Sequence, residues 1–154
     1  MNHLIMALAT GLYAGKLPKA PGTWGSLVAF LPWLLLKDLP LPIYVGAIAA
    51  SLLLGFFVAG SAEKILDQPD AGSIVIDEIV GMFIALTLAP DHLAAWILGF
   101  LLFRFFDIRK PYPISWFDRH IHGGAGIMLD DVIAGIYACL SLHLLWWMFS
   151  IVFQ

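Results

Sequence analysis

The sequence predicts an all-helical protein embedded in a membrane, and its composition and two long apolar runs support that prediction. Hydrophobic residues make up 61% of the 154 positions and charged residues only 12%, whereas an average soluble domain is about half apolar and about a quarter charged. The run Leu41–Gly60 carries no charge and matches the roughly 20 apolar residues that a membrane span requires. A second run, Val132–Phe153, is interrupted only by His143. The alternative is a soluble helical globule with unusually apolar helices.

Shorter apolar runs complete the predicted bundle. Three runs are shorter than a full membrane span, so they predict short or re-entrant helices. These runs are Leu27–Leu36, Ile79–Ala89 and Leu93–Phe106. Leu4–Ala9 has no basic residue before it, and this predicts a short surface helix rather than a cleavable signal peptide. The expected architecture is therefore an integral membrane helical bundle of about four to five apolar helices. We expect residues 1–154 to form a single domain.

The charged residues exclude one class of partner and suggest an orientation. The net charge is -3 and the chain has no basic tract, so nucleic acid is not an expected partner. A single cysteine, Cys139, excludes a disulfide within the chain. Tracing the predicted helices back and forth puts seven of the eight Lys and Arg residues on the same face as the acids, and only Lys37 opposite. Because basic residues favour the cytoplasmic side, we expect the acidic face to be cytoplasmic.

Two acidic pairs precede apolar runs in similar segments, "IDEIVGM" and "LDDVIAGI". The dipole of a helix stabilises one carboxylate near its N-terminus, but it does not explain pairs that repel one another. Oxygen ligands without a His or Cys cluster suit Mg²⁺ or Mn²⁺ better than Zn²⁺. We therefore predict a metal site, with solvated helix caps as the alternative. Its predicted ligands, further ligands included, are Asp77, Glu78, Asp107, Asp130 and Asp131.

Cations and glycines on the same predicted face suggest a phosphate site beside the metal. Basic side chains bind phosphoryl oxygens through charge-assisted hydrogen bonds, and a glycine-rich turn at a helix start offers backbone N–H groups to an anion. The alternatives are an Arg104–Asp107 pair within one helix, a tight loop at the glycines, and a rigid loop at "GKLPKAPGTWGS". The predicted substrate-binding residues are Lys16, Thr23, Arg104, Lys110, Gly123 and Gly124.

Four stretches resemble the phosphatidylglycerophosphatase A family: "PKAPGTWGS", "SIVIDEIVGM", "FRFFDIRKPYPISWFD" and "HGGAGIMLDDVIAG". They occur in order over nearly the whole chain. The resemblance implies a bacterial inner-membrane enzyme that hydrolyses the phosphomonoester of phosphatidylglycerophosphate and requires Mg²⁺. The family's polar motif positions then fall on Thr23, Asp77, Glu78, Arg104, Asp107, Lys110, Asp118, Asp130 and Asp131; Lys16 and His122 are further candidates outside those positions. From these we predict Asp77, Lys110, Asp130 and Asp131 as catalytic.

The chain lacks the sequence motifs that other phosphatase mechanisms require. Cys139 has no Cys-x5-Arg loop, and no DxDx[TV] motif or Pro-Ser-Gly-His loop occurs. An activated water or a carboxylate nucleophile remains, and the sequence leaves both open. Two other functions remain as alternatives. A CDP-alcohol phosphotransferase needs an Arg and a spacing that "DDVIAGIYA" lacks, and a cation or proton transporter would use intramembrane acids as an ion path. The expected partners are the phospholipid substrate and membrane lipids; a homo-oligomer is left open.

Overall fold

The computed structural model describes residues 2–152, and these residues form helices and no strand. A short 3-10 helix at Ala14–Lys16 follows the first α-helix. The α-helices are α1 Asn2–Ala9, α2 Pro21–Val28, α3 Phe30–Leu36, α4 Leu41–Leu66, α5 Ile76–Ala85, α6 Leu93–Arg109, α7 Ile114–His120 and α8 Gly123–Val152. The predicted all-helical class is confirmed. The last residue of the predicted final run, Phe153, lies outside the described residues.

Two helices, α4 and α8, are long and apolar enough to cross a membrane. With 26 and 30 residues they measure about 39 and 45 Å, more than the roughly 30 Å of a bilayer's hydrocarbon core. Only 17% and 22% of the residues in their most apolar windows are buried inside the protein. The central helix of a soluble protein would hide these side chains, whereas Leu53, Phe57, Leu140 and Trp147 are exposed.

Helix α8 is the centre of the packing, because α4, α5, α6 and α7 all pack against it. Small residues allow these close crossings, as they do between membrane helices. A Cβ atom on Gly135 would lie 2.6 Å from the carbonyl oxygen of Gly81, so α5 and α8 meet at backbone contact. Gly124 similarly packs against the backbone of Phe56 and Gly60 on α4. The start of α8 is therefore held between its neighbours.

Several predicted helix boundaries were wrong, and tertiary packing explains the largest error. Helix α8 begins at Gly123 instead of Val132. The glycines, predicted to form a turn at the start of this helix or a tight loop, are helical because their missing side chains admit α4 and the Ile121 backbone, which outweighs their low helix propensity. Helix α4 continues past Gly60 to Leu66, α5 covers Ile76–Ala85 instead of Ile79–Ala89, and α6 ends at Arg109 instead of Phe106. The predicted helix Leu27–Leu36 is divided between α2 and α3, which meet at Ala29.

Helix α5 is too short to cross a membrane alone. Its 10 residues measure about 15 Å, half of a bilayer's hydrocarbon core. It is nevertheless deeply enclosed, with Val80, Met82 and Phe83 buried. Its first turn carries Asp77 and Glu78, so these acids lie at one end of an enclosed helix.

Candidate active site

A cavity of about 280 Å³ opens where α5 begins, α6 ends and α8 passes through its third turn. Five of its wall residues are the predicted metal ligands, and they come from three different helices. The wall also includes Lys110, Asp118, Gly123 and the further candidate His122. Helix packing thus gathers acids that are up to 54 positions apart in sequence. The predicted ligands on this wall are Asp77, Glu78, Asp107, Asp130 and Asp131.

Three of these carboxylates converge: ligand oxygens of Asp77, Glu78 and Asp131 all lie within 4.8 Å of one another. One oxygen of each, namely Asp77 Oδ1, Glu78 Oε2 and Asp131 Oδ2, is buried without a hydrogen-bond partner. A buried carboxylate oxygen that lacks a partner costs several kcal/mol of folding free energy. A positive charge bound between these three oxygens would therefore stabilise the site.

The other two predicted ligands already have cation partners. Asp107 pairs with Arg104 at 2.5 Å between Oδ2 and Nη1, and Asp130 pairs with Lys110 at 2.7 Å between Oδ2 and Nζ. Asp130 Oδ1 also accepts a hydrogen bond from the Asp131 backbone N–H at 3.0 Å. Asp107 and Asp130 thus differ from Asp77 and Asp131, since a cation offsets their charge within the protein. Glu78 is intermediate, because its Oε1 atom lies 3.9 Å from Arg104 Nη1.

Lys110 is the cation on the cavity wall. It ends α6 in the left-handed conformation, with φ of 43°, and its Nζ atom donates hydrogen bonds to both Asp118 and Asp130. Partial burial lowers the pKa of Lys110, but the hydrogen bonds to Asp118 and Asp130 outweigh it and raise that pKa above its usual value. Lys110 is therefore a full positive charge at physiological pH.

Helix α2 supports the acids from behind the cavity. Ser26 Oγ accepts a hydrogen bond from Arg104 Nη1 at 3.3 Å and donates one to the Gly22 carbonyl at 2.7 Å. Gly22 leaves room for the Glu78 carboxylate and the Arg104 guanidinium, because a Cβ there would overlap both. The "PGTWGS" stretch therefore packs against the back of the site.

Four predicted substrate-binding residues lie off the cavity wall. Arg104 faces Asp107, Glu78 and Ser26. Lys16 is exposed, with its Nζ 5.1 Å from the centre of the Tyr13 ring; Thr23 is half-buried on α2. Gly124 packs against α4 while its neighbour Gly123 lines the cavity. Their substrate roles stay predictions.

Two acidic wall residues were not predicted, namely Glu63 and Asp70. Glu63 lies in the part of α4 beyond Gly60, where the apolar run was expected to end. One signal was available in the sequence: the residues around Glu63 and Lys64 are compatible with a helix that continues to Leu66. The sequence contains no cue that this last turn returns to the acids on α5 and α8.

Comparison with known proteins gives the family. The family model "Phosphatidylglycerophosphatase A" matches residues 7–146. The chain belongs to the phosphatidylglycerophosphatase A family. It is 41% identical to the protein of that name from Escherichia coli, over 88% of this chain and 80% of the relative. The corresponding protein from Haemophilus influenzae is 44% identical, over 94% and 90%.

A further relative carries another substrate in its name. A protein of Bacteroides thetaiotaomicron named "Putative phosphatidylinositol-3-phosphatase" is 35% identical, over 95% of this chain and 96% of the relative. No solved structure matches the chain. The predicted family and the predicted enzyme class, a phosphatase, are confirmed.

Proposed function

We propose that this protein hydrolyses the phosphomonoester of phosphatidylglycerophosphate, with Mg²⁺, to give phosphatidylglycerol and phosphate. The observation that carries the proposal is the convergence of three buried, unpaired carboxylate oxygens beside Lys110 in one cavity. The names of the two relatives with 41% and 44% identity support the substrate. The anionic substrate phosphate and the acids can share this cavity only if cations lie between them.

The residues fit a hard divalent cation. Asp77, Glu78 and Asp131 offer oxygen atoms alone, within 4.8 Å of one another, which is the ligand chemistry that Mg²⁺ prefers. They would hold the ion, with Asp107 and Asp130 on the same wall as further ligands or as supports for the first three. When bound, Mg²⁺ supplies a Lewis acid that offsets charge on the phosphoryl oxygens and on the carboxylates.

The protein's own residues bind and orient the phosphoryl group. Lys110 Nζ holds a phosphoryl oxygen through a charge-assisted hydrogen bond, and Asp118 and Asp130 fix the position of that ammonium group. The Asp130 carboxylate links Lys110 to the Asp131 backbone N–H, so it fixes the cation next to the proposed metal ligand. Arg104 holds Asp107 and borders Glu78 at 3.9 Å.

Hydrolysis breaks the ester bond between phosphorus and the glycerol oxygen, and water supplies the new phosphate oxygen. The glycerol oxygen leaves as an alcohol after it gains a proton. The attacking group is either the water itself or a carboxylate of the Asp77, Glu78 and Asp131 cluster, which water then releases. Rapid quenching with labelled lipid phosphate distinguishes these routes, since only the second produces a labelled protein.

The lipid substrate places the site at a membrane surface. We propose that α4 and α8 cross the bacterial inner membrane and that the cavity faces the cytoplasm, where basic residues concentrate. Labelling of intact cells with an impermeant thiol reagent tests this in a Cys139→Ser background. Leu39→Cys, before the far end of α4, should react, and Ser115→Cys, in α7, should not. The reverse pattern would contradict the orientation.

Phosphate release tests the function directly. The purified protein in detergent should release phosphate from phosphatidylglycerophosphate with Mg²⁺, and removal of the metal with EDTA should abolish this activity until Mg²⁺ is restored. Absence of phosphate release under all metal conditions would contradict the proposed activity. A transporter using the same acids would instead move cations across vesicles without releasing phosphate.

A further inference from the structure

The cavity has an outer part that the proposed chemistry does not use. Its volume of about 280 Å³ equals the space of about nine waters at ~30 Å³ each, which exceeds what a phosphate group and a metal ion fill. The converging acids form its inner wall on α5 and α8. The more exposed part of the wall, which is its outer part, comes from other segments, with Glu63 on α4, Asp70 and Gly72 on the following loop, and His122 before α8.

Glu63 is held in position on this outer wall. Its Oε1 atom accepts a hydrogen bond from the Asp70 backbone N–H at 3.1 Å. Its Oε2 atom faces Gly123, where even an added Cβ would stay 3.7 Å away. The carboxylate is half-buried, and no Lys, Arg or His among residues 2–152 forms an ion pair with it. The Asp70 backbone thus holds Glu63 in place through Oε1, and the Oε2 atom is available to a ligand.

The outer wall lies where the substrate's leaving group must be. When the phosphomonoester is beside Lys110 and the three acids, the rest of the head group extends towards the mouth, where His122 and Asp70 are exposed. The first polar group after the scissile bond is the secondary hydroxyl of the head-group glycerol. A carboxylate accepts a hydrogen bond from a hydroxyl, and such a charge-assisted bond is stronger than a neutral one.

We propose that Glu63 is the acceptor for the secondary hydroxyl of the substrate's head-group glycerol, and that the outer cavity is a polyol subsite. This inference rests on the proposed function. It makes Glu63 a specificity-determining residue, because a site built to bind a hydroxyl disfavours an analogue that lacks it. The subsite would select the alcohol portion of the substrate while the inner acids act on its phosphate.

The experiment compares two lipids that differ by that hydroxyl. One is phosphatidylglycerophosphate, and the other carries phosphorylated propanediol in place of phosphorylated glycerol. Wild-type protein should prefer the glycerol lipid by about tenfold in kcat/KM, the usual effect of a lost charge-assisted hydrogen bond. Glu63→Ala should lower kcat/KM about tenfold on the glycerol lipid and less than about threefold on the propanediol lipid. The preference would then largely disappear.

The controls separate this role from others. Lys64→Ala, next along the exposed side of α4, should keep the wild-type preference. If Glu63→Ala does not fold, Glu63→Met keeps helix propensity and volume and should lose the same preference. The Mg²⁺ concentration that gives half-maximal activity should not change in either Glu63 variant.

Three results would overturn the inference. Equal losses on both lipids would assign Glu63 a structural role, and an unchanged preference would remove it from substrate contact. A Mg²⁺ requirement shifted by about tenfold or more would make Glu63 part of the metal site. If the wild-type protein hydrolyses neither lipid, the proposed function itself fails and the subsite with it, a result distinct from the other three.

Discussion

The two ends of α5 bury polar groups in opposite ways. At its C-terminal end the carbonyl oxygens have donors: Tyr44 Oη donates to the Phe83 carbonyl at 2.5 Å. His143 Nε2 lies 2.9 Å from the Thr87 carbonyl, and because a carbonyl only accepts, the ring must donate from Nε2. At its N-terminal end Asp77 and Glu78 each keep a buried oxygen with no partner.

This difference separates structure from function within one helix. Backbone groups left unpaired in an apolar interior cost several kcal/mol each, so side chains of α4 and α8 satisfy the C-terminal end and nothing further is needed there. In the proposed function, a cation from outside the chain completes the N-terminal end. We therefore expect substitutions at the N-terminal end to remove activity and substitutions at the C-terminal end to remove stability.

The largest effect should come from Asp131→Asn. The substitution removes a charge from the converging acids with little change in shape, so kcat/KM should fall by more than about a hundredfold, beyond the 10–100-fold typical of groups that only support a metal ligand. Thermal unfolding without Mg²⁺ should occur at the wild-type temperature or higher, because repulsion is relieved. Wild-type activity with wild-type Mg²⁺ dependence would show that Asp131 is not a ligand.

Lys110→Ala should have the next largest effect. Loss of the ammonium group should lower kcat/KM by about tenfold to a thousandfold, or about 1.4–4 kcal/mol of transition-state binding. Asp118→Asn is the matched control, since it removes one partner of Lys110 and leaves the cation; its loss should be smaller. A folded Lys110→Ala protein with unchanged kinetics would exclude Lys110 from phosphate binding.

His143→Leu tests the opposite end. It leaves the Thr87 carbonyl with only the longer 3.7 Å contact from Cys139 Sγ, so the free energy of unfolding should fall by about 1–3 kcal/mol. The kcat/KM of the folded protein should remain within about twofold. The exposed neighbour Leu144 provides a control, as Leu144→Ala should change neither quantity much. Loss of activity without loss of stability would break the contrast between the two ends.

Ser26→Ala should give the smallest effect. It removes the hydroxyl that accepts from Arg104, so kcat/KM should fall by about threefold to tenfold, in line with ~0.5–1.5 kcal/mol for one hydrogen bond. Ser61→Ala is the matched control. Ser61 Oγ also donates to the carbonyl four residues earlier, at 2.7 Å, but Arg104 donates to Ser26 and not to Ser61, so this substitution should leave kcat/KM unchanged. Equal effects of both substitutions would mean that Ser26 acts only within its helix.

Local patterns in the sequence were sufficient for the helical class, the family and the acidic site. Apolar runs reveal helices because side-chain hydrophobicity is a property of each residue, and Leu41–Gly60 predicts most of α4. Acids inside apolar sequence reveal a site because their burial is costly. All five predicted ligands do line one cavity. Their roles as ligands stay predictions, as does the substrate role of Arg104.

Only the tertiary structure decided which acids lack a partner and which residues surround them. Asp130 and Asp131 are neighbours in sequence, yet Lys110 forms an ion pair with Asp130 and not with Asp131, because that pair depends on how the end of α6 packs against α8. Glu63 reaches the same cavity through a last turn of α4. The glycines before Asp130 are helical because α4 packs closely against Gly124. Each outcome depends on contacts between distant segments, which local sequence does not encode.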